Sequence, residues 1–327
     1  MMIQHRNSED KIQLSVIVLF YHGERWIQEC IQTLQKQSLD RSRYEILLVD
    51  NGGSTPSVRN YEGQPNTKVL HFSKNYGFAG GNNKALAHAE GEFVLLMNQD
   101  VWVHFNCLEE LMVAFEANPQ AGIISASMLM ISSKKRPNRH GSISKTIGRF
   151  KLTRCGYASY MIQETDKNLV PVEFVSGNAM CFRKDMLDNV GSYLFDKRLK
   201  SYTEDLDLSI RVKNSNWKMY VRPKALVYHY RDEAFSGSPV ERLQKMIHIS
   251  SNRLFVYYNN YPLGKFCIKL PALLLGIPLK VARPDGSSDF HFMNFLAALT
   301  LVPPIFIYFC FRASQSSKLY QHNSKIA

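Results

Sequence analysis

Cysteine is scarce in this chain and its spacing is uninformative: Cys30, Cys107, Cys155, Cys181, Cys267 and Cys310 contain no C-x-x-C pair. That excludes a sequence-evident zinc site and a dense disulfide framework, and reduced cytosolic thiols are expected. No internal repeat of fixed period runs through it, so a solenoid or propeller is excluded as well. The polar N-terminus MMIQHRNSEDK leads into an apolar run, Val16 to Tyr21, shorter than a signal-peptide core, and no export is expected. At 45% hydrophobic and 21% charged residues, a disordered or low-complexity chain is excluded.

Acidic residues are the scarcer charge, 28 against 40 Lys and Arg, for a net +12. The excess is regional. Lys134 to Arg154 holds eight basic residues and no acidic one, and Pro239 to the C-terminus holds ten basic and three acidic. Together these exceed the whole net charge, so the remainder is slightly acidic. A uniform nucleic-acid-binding coat is excluded, and an anionic membrane surface or phosphorylated metabolites are the expected partners.

The 327 residues suit one large α/β domain with an appendage, or two modest domains. Leu14 to Phe20 is a short β-branched run of the kind that makes a buried parallel strand. Ile27, Cys30, Ile31 and Leu34 then recur at helical spacing, and Ile46 to Val49 ends in the turn cluster Asp50-Asn-Gly-Gly-Ser54. Val69 to Phe72, Gly80 to Ala89, Phe93 to Met97 and Leu108 to Ala117 continue the alternation of strand and helix. This pattern predicts a doubly wound, mainly parallel sheet with helices on both faces. After Met130 a basic, Ser-rich stretch to about Tyr160 reads as a mobile surface connection. A second ordered block opens at Val172, and its polar cluster Tyr202 to Leu208 places Glu204 and Asp205 near a helix N-terminus, where capping alone would explain them.

The last third is apolar and basic. Leu263 to Val281 carries Lys265, Lys269 and Lys280, and Phe295 to Phe311 is uncharged over seventeen residues. That is at the lower edge of a bilayer span of about 20 residues, and Pro303-Pro304 is expected to break the helix. A membrane-surface or re-entrant element fits, with a buried or oligomer-forming helix as the alternative. The expected division is a domain over 1–260, with a nucleotide half at about 14–130 and an acceptor half at about 165–235, followed by a segment over 261–327.

Ligands of such sheets bind at the carboxyl ends of the strands. Asp100 closes the tripeptide Asn98-Gln99-Asp100, and a carboxylate there suits Mg²⁺ or Mn²⁺, or equally a helix cap for the segment near Asn106. The glycines of Gly77 to Gly81 permit backbone amides to approach a diphosphate, although such turns often only turn. Glu204-Asp205 supplies a second acidic site. One carboxylate on a metal and one acting as base suit attack of a hydroxyl on an activated phosphate ester.

The stretches VIVLFY (16–21), LLVDNGGS (47–54), NYGFAGGNNKAL (75–86), GEFVLLMNQDV (91–101), FVSGNAMCFRKD (174–185) and YTEDLDLSIRVKNSNWKMYVRPKALVYH (202–229), in that order, resemble family 2 glycosyltransferases over roughly residues 14–260. Within that family the chain is most similar to rhamnosyltransferase-type members of bacterial surface-polysaccharide synthesis. The resemblance implies a GT-A fold, a nucleotide-sugar donor, a divalent metal and inversion at the anomeric carbon. It implies that Asp50, beside Asn51, contacts the donor base and ribose, and that Asn75, Gly80, Gly81 and Asn82 form the donor loop. Asp100 matches the metal-binding aspartate, with Asn98 standing where many relatives keep a first aspartate. Asp205 matches the aspartate that takes the acceptor proton, with Glu204 its neighbour, and His229 falls where some relatives keep a histidine near the metal-bound diphosphate. Asn252 and Arg253 resemble a reversed R-N pair without an assigned role. The favoured reaction is transfer from dTDP-L-rhamnose to a glycan acceptor, lipid-linked by inference from the charge, on the cytoplasmic side of the membrane. Two rivals stand beside it. A silent glycan- or lipid-binding protein would keep the fold without the reaction. A NAD-dependent dehydrogenase would use the glycine loop, although that loop is not G-x-G-x-x-G and leaves Glu204-Asp205 unexplained.

Overall fold

A computed structural model describes residues 11–52, 55–131, 146–230, 238–282 and 291–323. The chain divides into two compact units, one of residues 1–150 and 161–232, the other of 151–160 and 233–327.

The first unit is built on a nine-stranded sheet. Strand β1 (Leu14–Phe20) is buried along its whole length, as is β2 (Tyr44–Asn51). Each such side chain contributes about 1.5–3 kcal/mol on burial, which is why near-continuous apolar runs become interior strands. Strands β3 (Thr67–Phe72) and β4 (Phe93–Asn98) complete a parallel group in the order β3-β2-β1-β4. Beyond β4 the sheet changes hand: β10 (Ala179–Arg183) lies antiparallel between β4 and β6 (Ala121–Ile131). The long β11 (Lys218–Tyr230) then pairs parallel with β6 and antiparallel with the short β5 (Val101–Val103) and β9 (Val170–Pro171). Its register with β6 slips between Arg222 and Leu226, a stretch containing Pro223, which has no N–H for the ladder. Six strands run one way and three the other, so the mainly parallel α/β expectation holds.

Alternation along the strands feeds two cores. Val16, Val18 and Phe20 face one side with helices α1 (Glu24–Gln35) and α4 (Cys107–Glu116), whereas Ile17 and Leu19 face the other with α3 (Gly77–Leu86) and α6 (Glu204–Lys213). Two short helices, α2 (Pro56–Arg59) and α5 (Met186–Asn189), complete this unit.

The basic stretch after Met130 differs from its expectation. Residues 132–145 lie outside the described residues, but 146–164 form a two-stranded sheet of β7 (Thr146–Leu152) and β8 (Ala158–Glu164), turned at 153–157 by a bond from Thr153 N to Tyr157 O of 2.8 Å. Its alternating half-exposed residues hid the strands behind a polar composition.

The second unit holds α7 (Pro239–Asn260), α8 (Leu263–Ala282), α9 (Phe292–Leu299) and α10 (Val302–Asn323). Helix α7 starts on a capping box between Ser238 and Glu241. Pro303 and Pro304 interrupt the apolar stretch as expected: α9 ends at Leu299 and α10 restarts at Val302, with both prolines in its first turn, where a missing N–H costs nothing. The stretch Met293–Gln315 has the length and apolar composition to cross a membrane, and 17% of it is buried.

Candidate active site

A cleft of about 250 Å³ opens at the carboxyl ends of β1, β2 and β4. The register aligns Phe20 with Asp50 and Leu19 with Asn98, so Asp50-Asn51 and Asn98-Gln99-Asp100 leave their strands at one level. Tyr21, Asn51, Asn75, Gly77, Ser201 and the Asn98–Asp100 tripeptide line the cleft.

Asp100 does not cap the segment after it. Strand β5 intervenes, and Asn106 occupies the cap position of α4. Its backbone O accepts from Tyr230 N at 3.1 Å, which draws the end of β11 alongside. His229 Nε2 thereby comes to 3.4 Å from Asp100 Oδ1, and both atoms are buried without a hydrogen-bond partner among the described residues. The other ring nitrogen, Nδ1, lies 3.3 Å from Met130 Sδ. A buried carboxylate oxygen and an imidazole nitrogen that face each other in this way form an ion pair if the imidazole is protonated, and are groups that could hold a divalent cation such as Mg²⁺ or Mn²⁺. Among the described residues no cluster of three His, Cys, Asp or Glu exists, so phosphate oxygens and water would complete such a shell. The amide of Asn98 is engaged elsewhere, donating to Asn178 Oδ1 at 3.1 Å.

On the β2 side, buried Asp50 accepts from Thr55 N at 3.0 Å and lies 3.6 Å from His71 Nδ1. Buried Asn51 spends its side chain on the neighbouring loop: Nδ2 donates to Asn75 Oδ1 (3.1 Å) and Gly77 O (3.2 Å), and Oδ1 accepts from Tyr76 N. Asn75 Oδ1 also accepts from Gly77 N at 2.7 Å. The amides of Phe78 and Ala79 are taken by Ser201 Oγ (3.2 Å) and Lys200 O (2.9 Å). The loop amides at 76–79 thus turn into the protein. Gly77, at φ +71°, is the glycine the geometry demands, since a Cβ there would lie 2.8 Å from Lys200 O. Gly81 instead lets α3 settle on β1, because its Cβ would meet Leu19 Cδ1 at 2.7 Å, and a Cβ on Gly80 would meet only Tyr76 Cβ, at 3.1 Å. Asn82 is buried and bonds back to Phe78 O at 2.9 Å. Of the four residues expected in the donor loop, Asn75 lines the cleft and Gly80, Gly81 and Asn82 shape the helix behind it.

Glu204 and Asp205 open α6, after a segment in which Lys200, Tyr202 and Thr203 all hold left-handed backbone (φ +59°, +68°, +69°). Asp205 Oδ2 accepts from Gly177 N at 3.2 Å and Oδ1 from Leu206 N at 2.8 Å. Burial pushes its carboxyl up to about 6 against the pull of these amides. Burial first, and the charge of Asp205 second, raise Glu204 well above the ordinary carboxylate range, and its Oε2 is buried without a partner. Capping does not account for a side chain in that state. Gly177 holds Asp205 and the next residue, Asn178, holds Asn98, so one turn spaces the two acidic sites.

Sequence reasoning missed Gln99, Asn178, Lys200 and Ser201 as parts of this site. Asn178 and Gln99 sat inside motifs already quoted, but a polar residue's partner 80 positions away leaves no local signal.

The family described as Glycosyl transferase family 2 matches residues 15–191, more than half of the chain, ending before Glu204. Over 220 residues the chain is 26% identical to the N-acetylglucosaminyl-diphospho-decaprenol L-rhamnosyltransferase of Mycobacterium tuberculosis, covering 61% of this chain and 70% of that one. It is 33% identical over 103 residues to the poly(ribitol-phosphate) beta-N-acetylglucosaminyltransferase TarS of Staphylococcus aureus, 30% of this chain and only 18% of the relative. The fold is similar to that of S. aureus TarS 1-349 in complex with UDP-GlcNAc, with a TM-score of 0.55 at 20% identity over 80% of this chain and 71% of that one. It is similar also to GalNAc-T7 with UDP, GalNAc and Mn²⁺, with a TM-score of 0.61 at 13% identity over 86% of this chain and 52% of that one. With the strand-end cleft, the ordered motifs and a family match over more than half of its length, the chain belongs to glycosyl transferase family 2.

Proposed function

We propose that this glycosyltransferase moves a sugar with inversion from a nucleoside-diphosphate donor, dTDP-L-rhamnose favoured, to a hydroxyl of a lipid-linked glycan in bacterial surface-polysaccharide synthesis. The observation that carries the reading is Asp205: a carboxylate with raised pKa, held by two amides beside the buried Glu204, and spaced by residues 177–178 from the strand ends where a donor would lie. In the reaction Asp205 takes the proton of the acceptor hydroxyl as that oxygen attacks C1, the bond from C1 to the phosphate oxygen breaks, and the nucleoside diphosphate departs. Asn51 and Asn75 fix the loop that borders the donor, and Asp50, buried behind the cleft and holding Thr55 N, is the residue that the resemblance assigns to the base and ribose. Asp100 and His229 would hold Mg²⁺ or Mn²⁺, whose charge would offset that of the leaving diphosphate.

The rhamnosyl donor and the lipid-linked acceptor follow the named activity of the mycobacterial relative, and UDP-GlcNAc follows the TarS complex as second choice. Radiolabelled transfer from dTDP-L-rhamnose and UDP-GlcNAc to a polyprenyl-diphosphate-linked sugar tests both. Incorporation from dTDP-L-rhamnose that is lost in Asp205→Asn supports the proposal. Incorporation from neither, or an active variant, removes it.

Cytoplasmic membrane attachment is part of the same reading. The exposed Ile268, Ile307 and Phe311 lie in a basic segment with exposed Lys265 and Lys269, and the apolar stretch is broken between α9 and α10, which favours lying in a leaflet over crossing it. Ile268→Glu with Phe311→Glu should abolish flotation with anionic vesicles. Unchanged flotation, with a mass that now depends on concentration, would assign the face to a second copy.

A further inference from the structure

Gln99 stands between Asn98 and Asp100 at the mouth of the cleft, the place from which a side chain would be expected to reach a cation or a phosphate. Its geometry is different. Oε1 accepts from Tyr21 N at 2.8 Å and Nε2 donates to Tyr21 O at 3.0 Å, so the carboxamide pairs with one residue's backbone as a neighbouring strand would. The loop it grips is one that resists its own shape: His22 holds φ +51°, a conformation costly for a residue with a side chain. Tyr21 lines the cleft and is 45% exposed, packed edge-on to the His22 ring at 4.2 Å. Gly23 makes room for the grip. A Cβ built on it would fall inside the Gln99 carboxamide, although its own backbone, at φ −124°, accepts any residue.

We propose that Gln99 is a positioning residue for the nucleotide, acting through the Tyr21–Gly23 loop and not as a ligand of the cation. Asp100 turns toward His229 while Gln99 turns toward Tyr21, so one tripeptide sets both the cation pair and the wall formed by the first βα loop. Glycine at 23 and glutamine at 99 are a matched pair: the missing side chain of one is the space occupied by the other.

This inference rests on the reading of the cleft as the donor site, and the experiment separates the two. Titration calorimetry with UDP, dTDP, GDP and CDP, each with Mn²⁺ and with EDTA, finds the diphosphate that the intact protein binds. Gln99→Ala should bind it about tenfold more weakly, the size expected for two lost hydrogen bonds acting at one remove. In the transfer assay the donor KM should rise while kcat stays within about twofold. Gly23→Ala should reproduce the loss, yet add nothing in the Gln99→Ala background, where the carboxamide is gone. Gln99→Glu separates positioning from ligation. It keeps the acceptor for Tyr21 N but sets an oxygen against Tyr21 O, so binding should weaken with or without Mn²⁺, whereas a direct ligand of the cation would gain Mn²⁺-dependent affinity from the added carboxylate. Gln99→Met, of similar volume, replaces Gln99→Ala if thermal melting shows that variant unfolded. Wild-type affinity in Gln99→Ala, additive losses with Gly23→Ala, or tighter Mn²⁺-dependent binding by Gln99→Glu would each overturn the inference alone. A wild-type protein that binds no diphosphate would overturn the donor-site reading and this inference with it.

Discussion

His229 Nε2 faces Asp100 Oδ1 across 3.4 Å although the two residues are 129 positions apart, and among the described residues neither atom has a hydrogen-bond partner. The pair exists because β5 and β11 run antiparallel with Val101 opposite His229, which delivers the imidazole to the end of β4.

If the pair holds a cation, Asp100→Ala and His229→Ala should each lower nucleoside-diphosphate affinity in Mn²⁺ by about tenfold to a hundredfold, the scale of losing a ligand from a sparse shell, and leave affinity in EDTA unchanged. Calorimetry reads both. Equal affinity of wild type and variants in Mn²⁺ would make the pair a structural contact.

Asp205 must be ionised to accept a proton, and burial has pushed its carboxyl up to about 6. The kcat should therefore fall with a slope of one as pH drops below about 6, and Asp205→Asn should cost about 10²–10⁴-fold above that pH, the gap narrowing along the acid limb. A flat acid limb measured with a well-folded enzyme would point to another base.

Glu204 carries the opposite signature in stability. A carboxyl whose folded pKa is raised contributes stability below the unfolded carboxylate range and loses it as pH rises through the raised value. Glu204→Gln removes this dependence, so urea midpoints of variant and wild type should coincide near pH 4 and diverge toward pH 8, with the variant more stable by about 1–2 kcal/mol. Parallel curves across that range would contradict the buried, unpartnered state of Oε2.

In the second unit Arg253 is fully buried in α7 and donates to the backbone O of Cys155 and, at 2.6 Å, of Leu273, with its guanidinium 3.7 Å from the Tyr157 ring centroid. Arg253→Ala strips two charge-assisted bonds and a buried stem, and should destabilise by about 3 kcal/mol. Arg253→Lys, which cannot fork to both carbonyls, should recover less than half of that. Chemical denaturation followed by tryptophan fluorescence and circular dichroism measures both, and a loss below about 1 kcal/mol for Ala would refute this role.

Much of this was legible in the sequence, for identifiable reasons. Leu14 to Phe20, Ile46 to Val49 and Phe93 to Met97 read as interior strands because burial on both faces leaves an apolar run, and Asp50 and Asp100, shortly past two of these runs, are where parallel sheets place their chemistry. Glu204-Asp205 stood out for the same positional reason. What did not show is what depends on pairing across distance. Three-residue β5 is recognisable only beside β11, and Asn82, polar and in a glycine-rich loop, proved to bond its own helix. The amides near Gly77 looked free for a ligand, yet Ser201 and Lys200 claim two of them from 123 and 121 positions away. Pro303-Pro304, by contrast, was legible as a break, because a proline pair ends one helix and opens the next, where α9 gives way to α10.

The peptide from Lys200 to Thr203 caps α3 at one end and enters α6 at the other, in a backbone shape that three consecutive-range side chains resist. A segment swap at 200–203 meant to reshape the entry to α6 will therefore also disturb the start of α3 and the wall of the cleft that Gly77 and Ser201 line, so the two helices cannot be altered one at a time through these four residues.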